Sequence, residues 1–180
     1  MFSQQVNENL LLRMLKVSED TKLFTLIDHN RLFLQKWLAW VHEIDSIADC
    51  RQFITKSFEA YANQDSLTAG IFYKNELAGI IGFNSIDVTN KVGTIGYWLG
   101  EDFQGKGIMT TAVQEIITHG FRDLHLNRLQ LFVAVENSGS RAIPERLHFH
   151  EEGIAREHEW LNGKPVDQVL YSLLQSEWTE

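Results

Sequence analysis

Apolar residues recur along this chain with two periods, and the changes between them mark out its elements. Leu10 to Leu15 is a short apolar run suited to a strand. Ser18, followed by Glu19 and Asp20, offers a helix N-cap, and Leu23, Phe24 and Ile27 then fall at helical spacing. A second helical piece is expected over Leu32 to Trp40, with apolar residues that could form a lid. Ser46 with Asp49 three positions on resembles a capping box. Ile47, Cys50, Ile54, Phe58 and Tyr61 follow at three- and four-residue steps, the mark of an amphipathic helix.

The period shortens in the middle of the chain. Thr68 to Lys74, Leu77 to Val88 and Val92 to Leu99 read as strands, separated by the polar turns Asn75-Glu76 and Thr89-Asn90-Lys91. A parallel crossover needs about a dozen residues, so these short turns predict an antiparallel meander. A helix is expected from about Ile108 to Phe121. Leu129 to Val135 then alternates as a strand, parallel to the one before the helix. A further helix covers Ser138 to Leu147, with Pro144 inside it. The end reads as a hairpin, Ile154 to Trp160 and Val166 to Leu174, closed by Asn162-Gly163. The sum is α+β: a mixed, mostly antiparallel sheet of about seven strands with helices on both faces.

Composition narrows the class. With 44% hydrophobic and 22% charged residues among 180, collagen-like, coiled-coil and wholly disordered chains are excluded. No repeat or linker divides the sequence, so 1–180 is read as one domain. Cys50 is the only cysteine, which rules out an intrachain disulfide and fits a reducing compartment. No apolar run approaches the ~18 residues of a membrane span, and a secretory leader would need a basic opening and a longer apolar stretch. The expected location is cytoplasmic. A net charge of −8 disfavours a direct nucleic-acid binder and suits a cationic or amine-bearing partner, as it suits plain solubility.

The chemistry concentrates in Gln104-Gly105-Lys106-Gly107-Ile108-Met109-Thr110, between a strand and a helix. Glycines there let several N–H groups face one concavity, and the helix N-terminus adds partial positive charge, which together suit a diphosphate without a metal. An ordinary glycine-rich turn would look the same. Gly100-x-x-x-x-Gly105-Lys106-Gly107 is one residue short of a P-loop: Gly107 stands where a Ser or Thr hydroxyl would bind Mg²⁺. The hairpins before the loop also disagree with the parallel sheet of a P-loop fold. His148, His150 and His158 lack the carboxylate or cysteine pattern of a zinc site, and no metal is expected.

These residues resemble the GNAT superfamily of acetyl-CoA-dependent N-acetyltransferases. The loop resembles that family's pyrophosphate motif, Ile95-Gly96-Tyr97-Trp98-Leu99 its "GYWL" strand, and Val133-x-x-x-Asn137-x-x-Ser140-x-x-x-x-Glu145-x-Leu147-x-Phe149 its Asn-x-x-Ser helix, with Glu152-Gly153 following. The likeness covers essentially the whole chain and is greatest to the RimJ/RimL-type branch, which acetylates ribosomal-protein N-termini. Two positions depart from the pattern. Met109 ends the loop where Gly or Ala is usual, and His148 replaces a helix-ending glycine that can need positive φ.

The resemblance implies that two central parallel strands splay apart around acetyl-CoA. The amides of Gly105, Lys106, Gly107, Ile108, Met109 and Thr110, with Gln104, would hold the pyrophosphate. Asn137 would reach the pantetheine or thioester end, and an amide near Trp98 or Leu99 would stabilise the oxyanion. Ser140 is the candidate for protonating the thiolate, with helix capping as its alternative role. Glu159 is the first candidate for the base, with Glu136 and Glu157 as alternatives. Phe33, Leu34, Trp37 and Trp40 are candidates for the acceptor wall, or for ordinary packing. The implied partners are acetyl-CoA and a primary amine, first the N-terminal α-amine of a ribosomal protein. A polyamine, amino sugar or amino acid, or a non-catalytic acyl-CoA-binding module, stay open, as does a homo-oligomer.

Overall fold

The computed structural model describes residues 1–179. Among the described residues eight strands are present: β1 Ser3–Asn7, β2 Leu10–Arg13, β3 Leu67–Tyr73, β4 Glu76–Asp87, β5 Val92–Leu99, β6 Arg128–Ala134, β7 His150–Leu161 and β8 Lys164–Leu174. They form one sheet in the order β1-β2-β3-β4-β5-β6-β8-β7. Neighbours are antiparallel except β5 and β6, which are parallel. The helices are α1 Asp20–His29, α2 Arg31–Leu34, α3 Ile47–Ala62, α4 Ile108–Thr118 and α5 Ser138–Arg146.

Strand alternation splits the interior in two. Ile71 and Ile81 enter the larger core with Ala112, Val113 and Ile116 of α4. Their neighbours Phe72 and Ile80 enter the other core, with Leu23 and Ile27 of α1 and Cys50 and Ile54 of α3. Successive strand residues point to opposite faces, so the same two strands carry helices on both sides. Ser46 and Asp49 form the expected capping box at the start of α3, with Ser46 N–H to Asp49 Oδ2 at 2.8 Å and Asp49 N–H to Ser46 Oγ at 3.3 Å. The Asn162-Gly163 turn has both residues at positive φ, 51° and 77°, as a two-residue type I′ turn demands.

Several expectations are corrected. The eighth strand is β1, which lies mostly exposed along its length and so carries no buried-face alternation to read. Ser18 caps no helix: it lies in a 3-10 turn, Val17–Glu19, where Glu19 takes the Lys16 N–H at 2.9 Å. The Leu32–Trp40 helix is broken into α2 and a 3-10 segment, Ala39–Glu43. Arg31 holds this bend together by donating to Val41 O at 2.9 Å and Ile44 O at 2.8 Å. The Ile108–Phe121 helix stops at Thr118 and continues as a π-turn, His119–Asp123. His148 has φ of 61°, so the position does require the left-handed backbone and histidine adopts it.

Candidate active site

A wedge opens in the middle of the sheet. β5 and β6 pair only at Val92↔Arg128, Gly93↔Leu129 and Thr94↔Gln130. β5 nevertheless stays paired to β4 as far as Leu99, and β6 to β8 as far as Ala134. The Gly100 N–H donates to Ala78 O at 2.8 Å, so the alternate residues Trp98 and Gly100 turn their main chain toward β4. Tyr97 and Leu99 therefore turn theirs toward the wedge. Of the two expected positions for an oxyanion donor, this register offers the Leu99 N–H. The wedge opens into a cleft of about 360 Å³, walled by Phe33, Leu34 and Trp37 on one side and by Asn137 and Ser140 on the other. Trp98 also lines it, its ring 5.9 Å from that of Trp40.

The 104–110 loop forms a cradle at the cleft's edge. Gly105 and Gly107 have φ of 71° and 73°, a backbone that L side chains rarely adopt, and a Cβ on either would meet nothing within 4 Å. These glycines thus serve the turn and leave open space above it. Gln104 donates to Leu99 O at 3.2 Å, tying the loop to the strand end. The first helical bond of α4 is Thr111 N–H to Gly107 O, 3.1 Å. The N–H groups of Ile108, Met109 and Thr110 precede it and have no place in the helical ladder. The Ile108 and Met109 side chains are buried and anchor the turn. Lys106 folds back, its Nζ 2.7 Å from Asp102 O, so this residue presents its main chain to the cradle. Arg146, from α5, donates to Thr110 Oγ1 at 2.7 Å and brings a cation to the same helix turn. An open, amide-rimmed concavity of this kind fits a diphosphate.

On the far wall, Asn137 caps α5 by accepting the Ser140 N–H at 3.2 Å, which leaves the Ser140 hydroxyl free of capping duty. Pro144 has no N–H, so Ser140 O lacks its ordinary partner four residues on. The Tyr97 hydroxyl donates to that carbonyl at 3.1 Å, and Ser140 Oγ lies 3.4 Å from the same phenol oxygen. Burial pushes the Tyr97 phenol up to about 12, with the Ser140 bond pulling the other way. The helix is pinned to the sheet by Arg141, which donates to the Tyr171 hydroxyl at 2.9 Å and to Val135 O at 3.2 Å.

Glu159 lies on β7, half-buried, accepting from Gln168 Nε2 at 2.7 Å. Burial raises its carboxyl above the usual range, while His158 and the Gln168 bond lower it. It is not among the residues lining the cleft; Glu136 is. Glu157 sits with Glu136, Trp37 and Asp167 around another cavity, of about 670 Å³, where β6 ends and β8 begins. Tyr97 and Arg146 were not singled out from the sequence. The Tyr97 signal is its place within the Ile95–Leu99 strand; that of Arg146 is its bond to Thr110, visible only once α4 and α5 are adjacent. Among the described residues, no group of three His, Cys, Asp or Glu side chains could hold a metal ion, and no helix is long and apolar enough to cross a membrane.

The wedge, the cradle and the hydroxyl wall together define an acyl-coenzyme A transferase site. Residues 9–150 match the acetyltransferase (GNAT) domain family, and the chain belongs to it. It is thus an acetyltransferase whose cosubstrate is acetyl-CoA. The Bacillus subtilis (strain 168) protein YdaF is 40% identical over 179 residues, covering 99% of this chain and 98% of its own. The structure of RimL, a ribosomal L7/L12 α-N-protein acetyltransferase, in complex with coenzyme A aligns with a TM-score of 0.93 at 33% identity, covering 96% and 98%. Microcin C7 self-immunity acetyltransferase MccE, in complex with acetyl-CoA and AMP, aligns with a TM-score of 0.89 at 35% identity, covering 94% of each chain.

Proposed function

We propose that this chain, acting as one domain over 1–180, acetylates the N-terminal α-amine of a cytoplasmic protein, a ribosomal protein first. The observation that carries the reading is the wedge: a backbone edge at Tyr97 and Leu99 leads from the 104–110 cradle to the Ser140 hydroxyl. Bound acetyl-CoA supplies an activated thioester carbonyl, whose C–S bond gives way to a C–N bond as the amine attacks. The chain's residues divide the remaining work. The amides from Gly105 to Thr110, with Gln104, hold the diphosphate, and the β5 edge aligns the arm as an added strand would be aligned. The Leu99 N–H faces the developing oxyanion. Ser140 delivers a proton toward the departing sulfur, Asn137 fixes the helix start that places it, and Glu159 belongs to the acid–base group that attracts and deprotonates the incoming ammonium. Likeness to RimL supports the protein acceptor. Likeness to MccE, bound to a small nucleotide, supports a small-molecule amine as the second reading.

The test measures thiol release from acetyl-CoA with peptides bearing free N-termini and with a panel of polyamines, amino sugars and amino acids. Turnover on peptides above all small amines is expected. Tight coenzyme A binding with no turnover on any amine would instead make the chain a binding module. Gly107→Glu, which sets bulk and negative charge in the cradle, is expected to abolish coenzyme A binding in calorimetry while the fold survives. Unchanged affinity would overturn the cradle assignment.

A further inference from the structure

β6, β8 and β7 are covered by α5 on one face; the other face holds a linked set of side chains. His158 Nδ1 is 2.7 Å from Gln168 Oε1, and Gln168 Nε2 is 2.7 Å from Glu159 Oε2. The imidazole lies on Phe132 of β6, ring centroids 4.3 Å apart and planes 12° from parallel. A register shift in β7 between Ala155 and Glu159 lets the consecutive residues His158 and Glu159 both reach Gln168.

With Glu159 ionised, this chain of bonds assigns the imidazole proton to one nitrogen. Two oxygens cannot face each other as acceptors, so an ionised Glu159 requires the NH₂ of Gln168 to point at it. Gln168 Oε1 then faces His158, and the imidazole nitrogen opposite must carry hydrogen. The neutral ring is therefore the Nδ1–H tautomer, with a lone pair on Nε2. Stacking on Phe132 fixes the ring plane. Glu159 is the charged group coupled to His158, on its own strand. β8 and β6 present to it the uncharged Gln168 and Phe132.

The set also neighbours the wedge, though its residues are not among those lining the cleft. The last bridged pair is Thr94↔Gln130, and the Gln130 side chain bonds Thr94 Oγ1 at 3.2 Å across the strands. Alternation puts Phe132 next on that face of β6, level with the opening, and away from Leu131 and Val133 in the core under α4. The Phe132–His158 stack thus lies on the sheet face opposite the α4 core, just past the last bridged pair of β5 and β6.

We infer that His158 Nε2 is the group that takes the first proton from the incoming ammonium, with Gln168 and Glu159 positioning the ring. This rests on the amine-acetylating reading above and names the acid–base residue within it. The balance closes. An acceptor R–NH₃⁺ loses two protons in becoming the amide: one passes to His158 Nε2 and on to water, and the other ends on the coenzyme sulfur as the C–S bond breaks.

His158→Asn tests it, because Asn keeps a donor for Gln168 Oε1 and lacks the distal nitrogen. The readout is kcat/KM against pH on a peptide α-amine. Such an amine has a pKa of ~7.7–8.0, so only about one-twentieth is neutral at pH 6.5. The variant is expected to lose roughly ten-fold at pH 6.5 and to come within about two-fold of wild type above pH 9, with coenzyme A affinity unchanged. Gln168→Leu, which frees the ring, should give a smaller loss with the same pH dependence. A loss equal at every pH, or no loss at all, overturns the inference. A collapse in Glu159→Gln with His158→Asn intact would also overturn it, assigning the proton to the carboxylate, while acetyl transfer itself would stand. Absence of transfer by the wild type to any amine would fail the parent reading instead.

Discussion

Within α5 the missing N–H of Pro144 is what brings Tyr97 to Ser140, because the phenol takes the carbonyl that a helix would otherwise satisfy. Pro144→Ala would supply that N–H and compete with Tyr97. Its expected outcome is a thermal midpoint equal to or above wild type, since interior proline costs a helix up to ~3 kcal/mol, together with a several-fold lower kcat. Equal kcat in steady-state assays would show that Tyr97 does not place Ser140. The sequence makes Ser140 visible through its spacing from Asn137. It does not show Tyr97 or Pro144 as parts of the same device, because 43 residues separate Tyr97 from Ser140. His158 had no reading apart from metal binding for the same reason: its partners Phe132 and Gln168 lie on two other strands.

At the scale of elements, the wedge depends on how closely β4 carries the end of β5. A Cβ at Gly79 would crowd Trp98 O and Leu99 Cα, main-chain atoms of the β5 end that forms the lip of the cleft. Gly79→Ala must therefore push that lip outward. Overpacking of this kind costs typically ~1–3 kcal/mol, and the shifted Leu99 N–H should lower kcat more than coenzyme A affinity. Denaturant unfolding with parallel kinetics checks both. The antiparallel meander, the parallel β5–β6 pair and the closing hairpin were all legible, since each has strong alternation and a short polar turn or a helix between strands. β1 was not, because an exposed edge strand has no buried face to write into the sequence. The α2 bend was not, because its apolar run continues as in a helix while Arg31 satisfies carbonyls ten and thirteen residues away.

Over the whole molecule, charge pairs set the response to acid. The Arg13 guanidinium grips Glu19 with two bonds of 2.8 Å and holds its carboxyl at about 2, against the partial counter-effect of burial. Arg128 and Ser172 likewise hold Glu152 at about 2. A folded pKa below the unfolded value of ~4.3 contributes stability in full above that value and loses it as pH falls toward 2. Stability is expected to decline across pH 4.5 to 2. Glu19→Gln should be weaker by about 1–3 kcal/mol at pH 7 yet show a shallower decline, measurable as denaturation midpoints at each pH. Parallel slopes for variant and wild type would remove Glu19 from this account.

From its own order of residues the chain determined the α+β class, the Asn162-Gly163 turn, the α3 capping box and the glycine-built concavity at 104–110, because each is written in contacts a few positions long. Gly105 and Gly107 need only their own backbone angles to make a concavity. Tertiary structure alone decided where β5 leaves β6, that the Leu99 amide and not that of Trp98 faces the opening, that Tyr97 meets Ser140 there, and that His158, Gln168 and Glu159 form one linked set. Those relations join residues on different strands, and only the register of the finished sheet sets them.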